Sequence, residues 1–374
     1  MLKRILRKMG IIIGISVAVL LLVGLIFLYT SPEFGARPTS DQEILFKTTN
    51  HYENGKFINL GYVDMQMSVQ NFGKMLIGYL NQQQKTIPKR PLKVENIIAS
   101  DLINYHGSTR MFWFGHSTFL LQIQTKNILI DPMFGAVPAP HPMLGTKRFS
   151  EHLPITIEHL PHIDAVIISH DHYDHLDYGS IIKLKDKVDH FYTPLGVGAH
   201  LESWGIPKHQ IHELDWWQET QFENLTFACT PAQHFSGRGL TDKGKTLWSS
   251  WVIKSNNDNI FFSGDSGYGP HFKTIGDKYG PFDFAMIECG QYNTLWHEIH
   301  MYPEETAQAA IDVKAKHMMP IHWGAFKLAM HSWTEPVERL EEAAKTLQLD
   351  VITPRIGAPI LLENTTENTQ KWWK

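Results

Sequence analysis

The chain has little cysteine, little charge imbalance and no internal repeat, and each shortage excludes something. Two cysteines in 374 residues, Cys229 and Cys289, are too few for a disulfide framework or a thiolate-rich zinc site. Both are expected as buried free thiols at or near strand positions. Lysine and arginine number 34 against 38 acidic residues, a formal charge of −4, so no basic footprint for nucleic acid is present. No motif recurs with a period of 20–50 residues, which excludes a solenoid or a propeller of repeats. After Thr30 no apolar run reaches the length of a membrane span. The 43% apolar content still suffices for a large core and argues against disorder.

One long apolar run is there, at the start. Met9 to Pro32 carries no charged side chain, and Ile11–Leu28 is almost wholly apolar. About 20 helical residues cross a hydrocarbon layer of roughly 30 Å. Lys3, Arg4, Arg7 and Lys8 precede the run, while only Glu33 and Arg37 follow closely. The positive-inside rule therefore puts the N-terminus in the cytoplasm and the rest outside. A single-pass anchor of this kind suits a bacterial inner membrane with the body in the periplasm. A cleaved signal peptide is the rival reading, but no clear small-x-small site follows the run.

Three regions are expected: a basic stub and transmembrane anchor (1–30), a lead-in packing on the main body (31–100), and the main domain (101–374). Within the lead-in, Asn81-Gln82-Gln83-Gln84-Lys85, followed by Pro88 and Pro91, reads as an exposed connector. From about Met111, short apolar runs bounded by Gly, Pro, Asp and Asn read as strands: Met111–Phe114, Thr118–Ile123, Asn127–Ile130, Ala165–Ser169, Leu225–Cys229, Ser249–Ile253, Asn259–Phe262, Phe284–Ile287 and Lys316–Met319. A helix is expected from Pro303 to Lys314, opened by Pro and two acids. Another, capped by Thr334, is expected from Glu335 to about Leu347. Strands with interspersed helices imply a layered α/β domain.

What is abundant is histidine, 21 in all, and histidine is the commonest metal ligand. Ser169-His170-Asp171-His172-Tyr173-Asp174-His175-Leu176-Asp177 follows the apolar run Ala165–Ile168. Five candidate ligands fall within six positions. A solvated face favours Lys and Glu over imidazoles, and a buried core would have to satisfy all these polar groups. The spacing lets alternate side chains enter one pocket while Asp174 and His175 reach a second. Imidazole with carboxylate suits zinc, and iron or manganese also. A catalytic metal needs about three protein ligands and an open position. Further ligand types stand just past later strand candidates: His234 in Thr230-Pro231-Ala232-Gln233-His234, Asp265 in Ser263-Gly264-Asp265, and His322 in Pro320-Ile321-His322-Trp323-Gly324.

His170-x-His172-x-Asp174-His175, His234, Asp265 and His322 together resemble the ordered ligand set of the metallo-β-lactamase fold hydrolases. That resemblance implies an α/β, four-layer αββα sandwich behind the N-terminal transmembrane helix, with a dinuclear zinc site at one edge of the sheets. By position, one zinc falls to His170, His172, His234 and Asp265. The other falls to Asp174, His175, Asp265 and His322, with Asp265 bridging and a hydroxide between the metals as nucleophile.

Further motifs narrow the branch. Tyr173-Asp174-His175-Leu176-Asp177-Tyr178, Glu213-Leu214-Asp215-Trp216-Trp217, Leu247-Trp248-x-Ser250-Trp251, Gly280-Pro281-Phe282-Asp283 and Gly145-x-Lys147-Arg148-Phe149 resemble the N-acylphosphatidylethanolamine-hydrolysing phospholipase D family, from about Asn104 to Gly357. Gly115-His116-Ser117-Thr118 and Ile130-Asp131-Pro132 are shared more widely in the fold. The resemblance implies a metal-dependent phosphodiesterase acting on a membrane phospholipid and releasing phosphatidate and an N-acylethanolamine. Asp174, Asp265 and His300 would be catalytic. His300 precedes the helix start Pro303-Glu304-Glu305, a place suited to an anion, and in the family a histidine there contacts phosphate. Asp171 is expected to support the site from behind, and Asp131 to orient a ligand histidine. Tyr268 and Trp323 are candidates to line the pocket or simply to pack. Thr294-Leu295-Trp296-His297 departs from the family's Pro-Arg-Trp-Phe, which leaves acyl-chain preference open. The alternatives are another hydrolase of this fold, acting on a lactone, a cyclic phosphate or a β-lactam, and a non-catalytic envelope metal-binding protein. A flavodiiron-type enzyme is disfavoured by the lack of a flavin domain.

Overall fold

The computed structural model describes residues 2–63, 71, 73, 77, 85–103, 105–365 and 371–374. The expected connector Asn81–Gln84 lies outside the described residues. Leu2–Thr30 is one helix. Its Lys3–Thr30 stretch, with mean hydropathy 3.2 and its side chains exposed, is long and apolar enough to cross a membrane. A small hairpin, β1 (Tyr52–Glu53) and β2 (Lys56–Phe57), follows.

The body is built on two seven-stranded sheets. In chain order the remaining strands are β3 (Arg110–Trp113), β4 (Phe119–Ile123), β5 (Lys126–Ile130), β6 (Ile163–Ile167), β7 (Val188–Pro194), β8 (Ile211–Leu214), β9 (Glu219–Phe222), β10 (Leu225–Thr230), β11 (Ser250–Lys254), β12 (Asn259–Phe262), β13 (Phe282–Glu288), β14 (Ala315–Ile321), β15 (Asp350–Val351) and β16 (Pro359–Leu361). One sheet runs β16-β3-β4-β5-β6-β7-β8 and the other β15-β14-β13-β12-β11-β10-β9. In the first, β5 to β8 are parallel; in the second, β12 to β15 are.

Period-two alternation sorts each strand between two cores. Met111, Trp113, Phe119, Leu121, Ile128, Ile130, Ala165 and Ile167 meet Phe227, Cys229, Trp251, Ile253, Ile260, Phe262 and Met286 between the sheets. The intervening residues Phe112, Leu120, Leu129 and Val166 point outward, where the helix Tyr178–Leu184 and the helix Gly198–Ser203 contribute Ile181, Leu184 and Leu201. On the far side, Ala228, Val252, Phe261 and Ala285 pack under the helices His271–Lys278, Pro303–Asp312 and Glu335–Leu347. The result is the αββα sandwich. Both cysteines are buried and free, Cys229 on β10 and Cys289 just past β13.

Two expectations need correction. Thr334 sits at the start of the last long helix in helical backbone geometry, and its side chain makes no capping bond; Pro336 sets the first turn instead. The strands β7, β8 and β9 do not stand out as apolar runs, because polar residues such as Asp189, His190, His212, Glu213, Glu219 and Gln221 interrupt them. β8 and β9 are edge strands and β7 adjoins β8, so fewer of their positions need be apolar.

Candidate metal centre

Every candidate ligand sits where a strand of one sheet or the other runs out. His170 to His175 occupy the turn after β6, His234 follows β10, Asp265 follows β12 and His322 follows β14. Gly264 makes the close approach possible. It has φ +57, and a Cβ there would meet the Ser249 carbonyl at 2.7 Å and Ser169 Cβ at 2.8 Å, so the two sheets' loops could not touch. Three site residues, His116 (φ 58), Asp131 (φ 40) and His322 (φ 64), also adopt left-handed backbone, a strain that persists where the surroundings over-determine it.

The structure brings all seven candidates together. His170 Nε2 lies 2.9 Å from His172 Nδ1, and His234 Nε2 lies 3.1 Å from the same atom. On the other side, His322 Nε2 is 3.1 Å from both Asp174 Oδ2 and Asp265 Oδ2. His175 Nε2 is 3.1 Å from Asp265 Oδ2. Asp265 Oδ2 is also 3.8 Å from both His170 Nε2 and His234 Nε2, so one carboxylate faces both halves of the cluster. His170, His172 and His234 form one compact donor group, and Asp174, His175 and His322 belong to another.

Burial pushes His170 and His234 well below the usual imidazole range, and neighbouring imidazoles add to it; burial also lowers His172. Burial opposes charge on His175 and His322 too, but the carboxylates of Asp265 and Asp174 outweigh it and hold both well above the ordinary value. Burial would raise Asp174 and Asp265, yet the adjacent His175 and its neighbours keep both well below the usual carboxylate range. Their ion-pair partners are all histidines; no Lys or Arg reaches them among the described residues. His175 Nε2 and Asp265 Oδ1 are buried without a hydrogen-bond partner. Neutral imidazoles at His170, His172 and His234, ionised carboxylates that draw positive charge onto His175 and His322, and orphaned donor atoms converging on one point fit a metal centre, where a cation takes the place of those protons and satisfies the orphans.

A second layer orients the cluster. Asp131 accepts from Ser169 N (2.7 Å) and Ser169 Oγ (2.6 Å) and holds His175 Nδ1 at 2.7 Å. His234 Nδ1–H donates to the Ile299 carbonyl at 3.1 Å. Sequence reasoning missed three contributors. His116 Nε2–H donates to Asp174 Oδ2 at 2.8 Å, and burial beside His322 lowers its pKa to about 3. Glu288, fully buried at the end of β13, takes a hydrogen bond from His300 Nδ1 and lies 3.5 Å from His322 Nδ1. An acid ending an otherwise apolar strand was the available signal. Asn59 of the lead-in clamps the His234 backbone, donating to its carbonyl at 2.8 Å and accepting from its N–H at 3.0 Å.

Asp171 turns away. Its carboxylate accepts from Gly237 N (2.8 Å), Thr246 Oγ1 (2.8 Å) and His200 Nε2 (3.2 Å). Arg238 ties the same loop to the segment that follows the apolar helix: Nη1–H donates to the carbonyls of Asp171 and Leu176, and Nε–H to that of Glu33. Trp204 and His200 bind the Pro32 carbonyl and the Ala36 N–H of that segment. Of the two aromatic candidates, Tyr268 donates to Asp312 and Trp323 is buried against Trp113 and Trp372, so both pack rather than line the cavity.

The cluster opens into a cavity of about 270 Å³ walled by Phe235, Trp296, Ile299 and Leu328, with His172, Asp174, Asp265, His300 and His322 at its polar end. The His300 ring stacks on His322 with centroids 5.1 Å apart.

The profile of the "beta-lactamase superfamily domain" matches residues 126–323. An uncharacterized protein of Mycobacterium tuberculosis is 40% identical over 335 residues, covering 88% of each chain. The N-acyl-phosphatidylethanolamine-hydrolyzing phospholipase D 1 of Caenorhabditis elegans is 31% identical over 326 residues, covering 81% of this chain and 90% of the relative. Among solved structures, a possible metal-dependent hydrolase from Veillonella parvula superposes with a TM-score of 0.54 at 16% identity, over 68% of this chain and all of that one. Sheets, edge cluster and relatives agree, and the chain belongs to the β-lactamase superfamily of metallo-β-lactamase fold, metal-dependent hydrolases.

Proposed function

We propose that the protein is a zinc-dependent phosphodiesterase of the phospholipase D type, hydrolysing N-acylphosphatidylethanolamine-like phospholipids to phosphatidate and N-acylethanolamine. His170, His172, His234 and Asp265 would hold one metal ion, and Asp174, His175, Asp265 and His322 a second. Such a pair supplies Lewis acidity toward the phosphodiester and lowers the pKa of a bound water toward neutrality.

The chain's own residues do the rest. Asp174 accepts from His116 Nε2–H through Oδ2, which fixes the carboxylate and leaves its Oδ1 to orient the attacking water. His300 Nδ1–H donates to Glu288, which sets the tautomer and leaves Nε2 as an acceptor for a proton of the attacking water. Water adds to phosphorus and gives a proton to His300 Nε2, the bond to the ethanolamine oxygen breaks, and that oxygen takes the proton and leaves as the alcohol. Phe235, Trp296, Ile299 and Leu328 exclude bulk water and offer surface to an acyl chain.

The observation that carries this reading is the opening of a two-lobed His/Asp cluster directly into a mostly apolar cavity. The similarity to the Caenorhabditis elegans enzyme and the apolar N-terminal helix support it. A tethered site is held at high effective concentration of bilayer lipid. The same reading places the basic stub in the cytoplasm, the anchor in a bacterial inner membrane and the body in the periplasm, with residues 1–30, 31–100 and 101–374 as its three regions. The test is to give the zinc-loaded protein N-acylphosphatidylethanolamine in vesicles and assay phosphatidate and N-acylethanolamine. Both products should appear in equal amounts; turnover of a lactone with no phosphatidate would reject the assignment.

A further inference from the structure

Outside the membrane helix, two of the most exposed large apolar side chains are Met143 and Leu240, at 86% and 82%. Neither belongs to the cavity or its walls. Both sit on loops beside the end of the apolar helix. Leu240, with Gly239 and Thr241, shares a cleft with Leu25, Leu28 and Tyr29. His141, two residues before Met143, meets Phe27 edge-to-face with ring centroids 5.9 Å apart. Leu144, beside Met143, is 64% exposed.

Depth follows from helix geometry. At 1.5 Å per residue, Leu25 lies about 7 Å and Phe27 about 4 Å short of Thr30 along the axis. Ile11–Leu28 is the apolar stretch that would fill the hydrocarbon layer. Side chains level with Leu25 to Leu28 therefore stand at its outer boundary. The loop Ala136–Gly145 reads Ala-Val-Pro-Ala-Pro-His-Pro-Met-Leu-Gly, without a charged residue. Arg37, which donates to Thr241, is the cation placed at headgroup level.

We propose that the loop tips at His141–Leu144 and Gly239–Thr241 insert into the outer boundary of the bilayer and seat the catalytic body on the membrane in one orientation. The partner is a lipid surface, reached on two sides of the helix. The seat adjoins the metal centre: Phe235, on the cavity wall, is only five residues before Leu240, a span of at most about 18 Å. Phe27 contacts Phe34, and Phe34 contacts Tyr173 of the metal loop, with centroids 5.4 and 6.5 Å apart. Phospholipid phosphates at headgroup level thus lie beside the cavity rim.

The proposal rests on the membrane-anchor part of the proposed function, and the test separates the two. The full chain is reconstituted into phosphatidylcholine/phosphatidylglycerol vesicles with single cysteines at Met143, Leu240, Val19 or Leu347, each carrying an environment-sensitive fluorophore. The native Cys229 and Cys289 are buried and stay unlabelled. Lipids brominated or nitroxide-labelled near the carbonyl should quench Met143→Cys and Leu240→Cys at least threefold more than Leu347→Cys. Labels deep in the acyl chains should quench Val19→Cys. If Val19→Cys is quenched while Met143→Cys and Leu240→Cys respond only to aqueous iodide, the anchor stands and the seat is overturned. If Val19→Cys is itself unquenched, the anchor reading falls and takes the seat with it. As a second readout, the Met143→Asp/Leu240→Asp double variant should show a KM about tenfold higher for vesicle substrate and keep its kcat/KM for the same lipid in detergent micelles. An equal loss in both would also overturn the seat.

Discussion

Asp171 and Asp174 stand three residues apart on one turn, both buried, and they do opposite things. Asp171 faces a network that closes on itself: backbone N–H, Thr246 hydroxyl and His200 satisfy its oxygens, and Arg238 ties the loop's carbonyls to Glu33. Only Arg238 Nη2 lacks a partner there. Asp174 faces a cluster that does not close. Donor atoms crowd at 2.9–3.1 Å, and His175 Nε2 and Asp265 Oδ1 stay orphaned. A buried polar network that is fully satisfied holds a structure; one left unsatisfied at a strand edge is reserved for something that binds there. The difference also shows that the segment after the apolar helix supports the metal loop from behind, since Arg238 and His200 bind both and Trp204 holds the segment at Pro32.

That contrast breaks in specific ways. Asp265→Asn should have the largest effect, lowering turnover by about a thousandfold or more, because it removes the charge shared by both halves of the cluster. Elemental analysis should find metal content well below that of the native protein, with the melting temperature of the metal-free form unchanged or raised. Full activity in this variant would end the two-centre assignment. Arg238→Met comes next: it should destabilise by about 3 kcal/mol, since it breaks a buried charged network, and lower the melting temperature by several degrees. Metal content of the folded protein should be preserved. Loss of metal at unchanged stability would instead make the two faces of the loop one system.

His300→Gln should reduce kcat by about a hundredfold while both metals remain bound, the range expected for a positioned proton or anion partner. Loss of metal in that variant would reassign His300 as a ligand. The smallest effect is expected at Asn59→Ala. Two hydrogen bonds to the His234 backbone go, each worth about 1 kcal/mol, so metal affinity should fall by up to roughly thirtyfold, with any loss of fold stability no larger than about 2 kcal/mol. Isothermal titration with zinc would measure it; no change would show that β10 alone positions His234.

The strands that carry the cluster were legible because buried strands must be apolar, and so were the donors, because metal chemistry restricts residue type and spacing. Phe112 and Trp113 fell into one apolar run, but their opposite facings emerge only once two layers pack against one sheet. His116 gave no sign of its role because it acts through Asp174, far along the chain, and Glu288 offered only the signal of an acid ending an apolar strand, its partner His300 being set by the fold. Asn59 carried no sequence signal at all; it lies 175 positions from the residue it holds.

By itself, then, the sequence determined the layered α/β class, the apolar helix at the start and the order of imidazole and carboxylate donors at strand ends, because local pattern and side-chain chemistry suffice for each. The family resemblance already gave Asp174 and Asp265 to the cluster and Asp171 to its support; only the tertiary structure shows that Gly237, Thr246 and His200 hold Asp171. It alone put Leu240 and His141 beside the apolar helix. Those outcomes depend on segments far apart in the chain being brought together when the two sheets pack face to face, and no local pattern encodes that meeting.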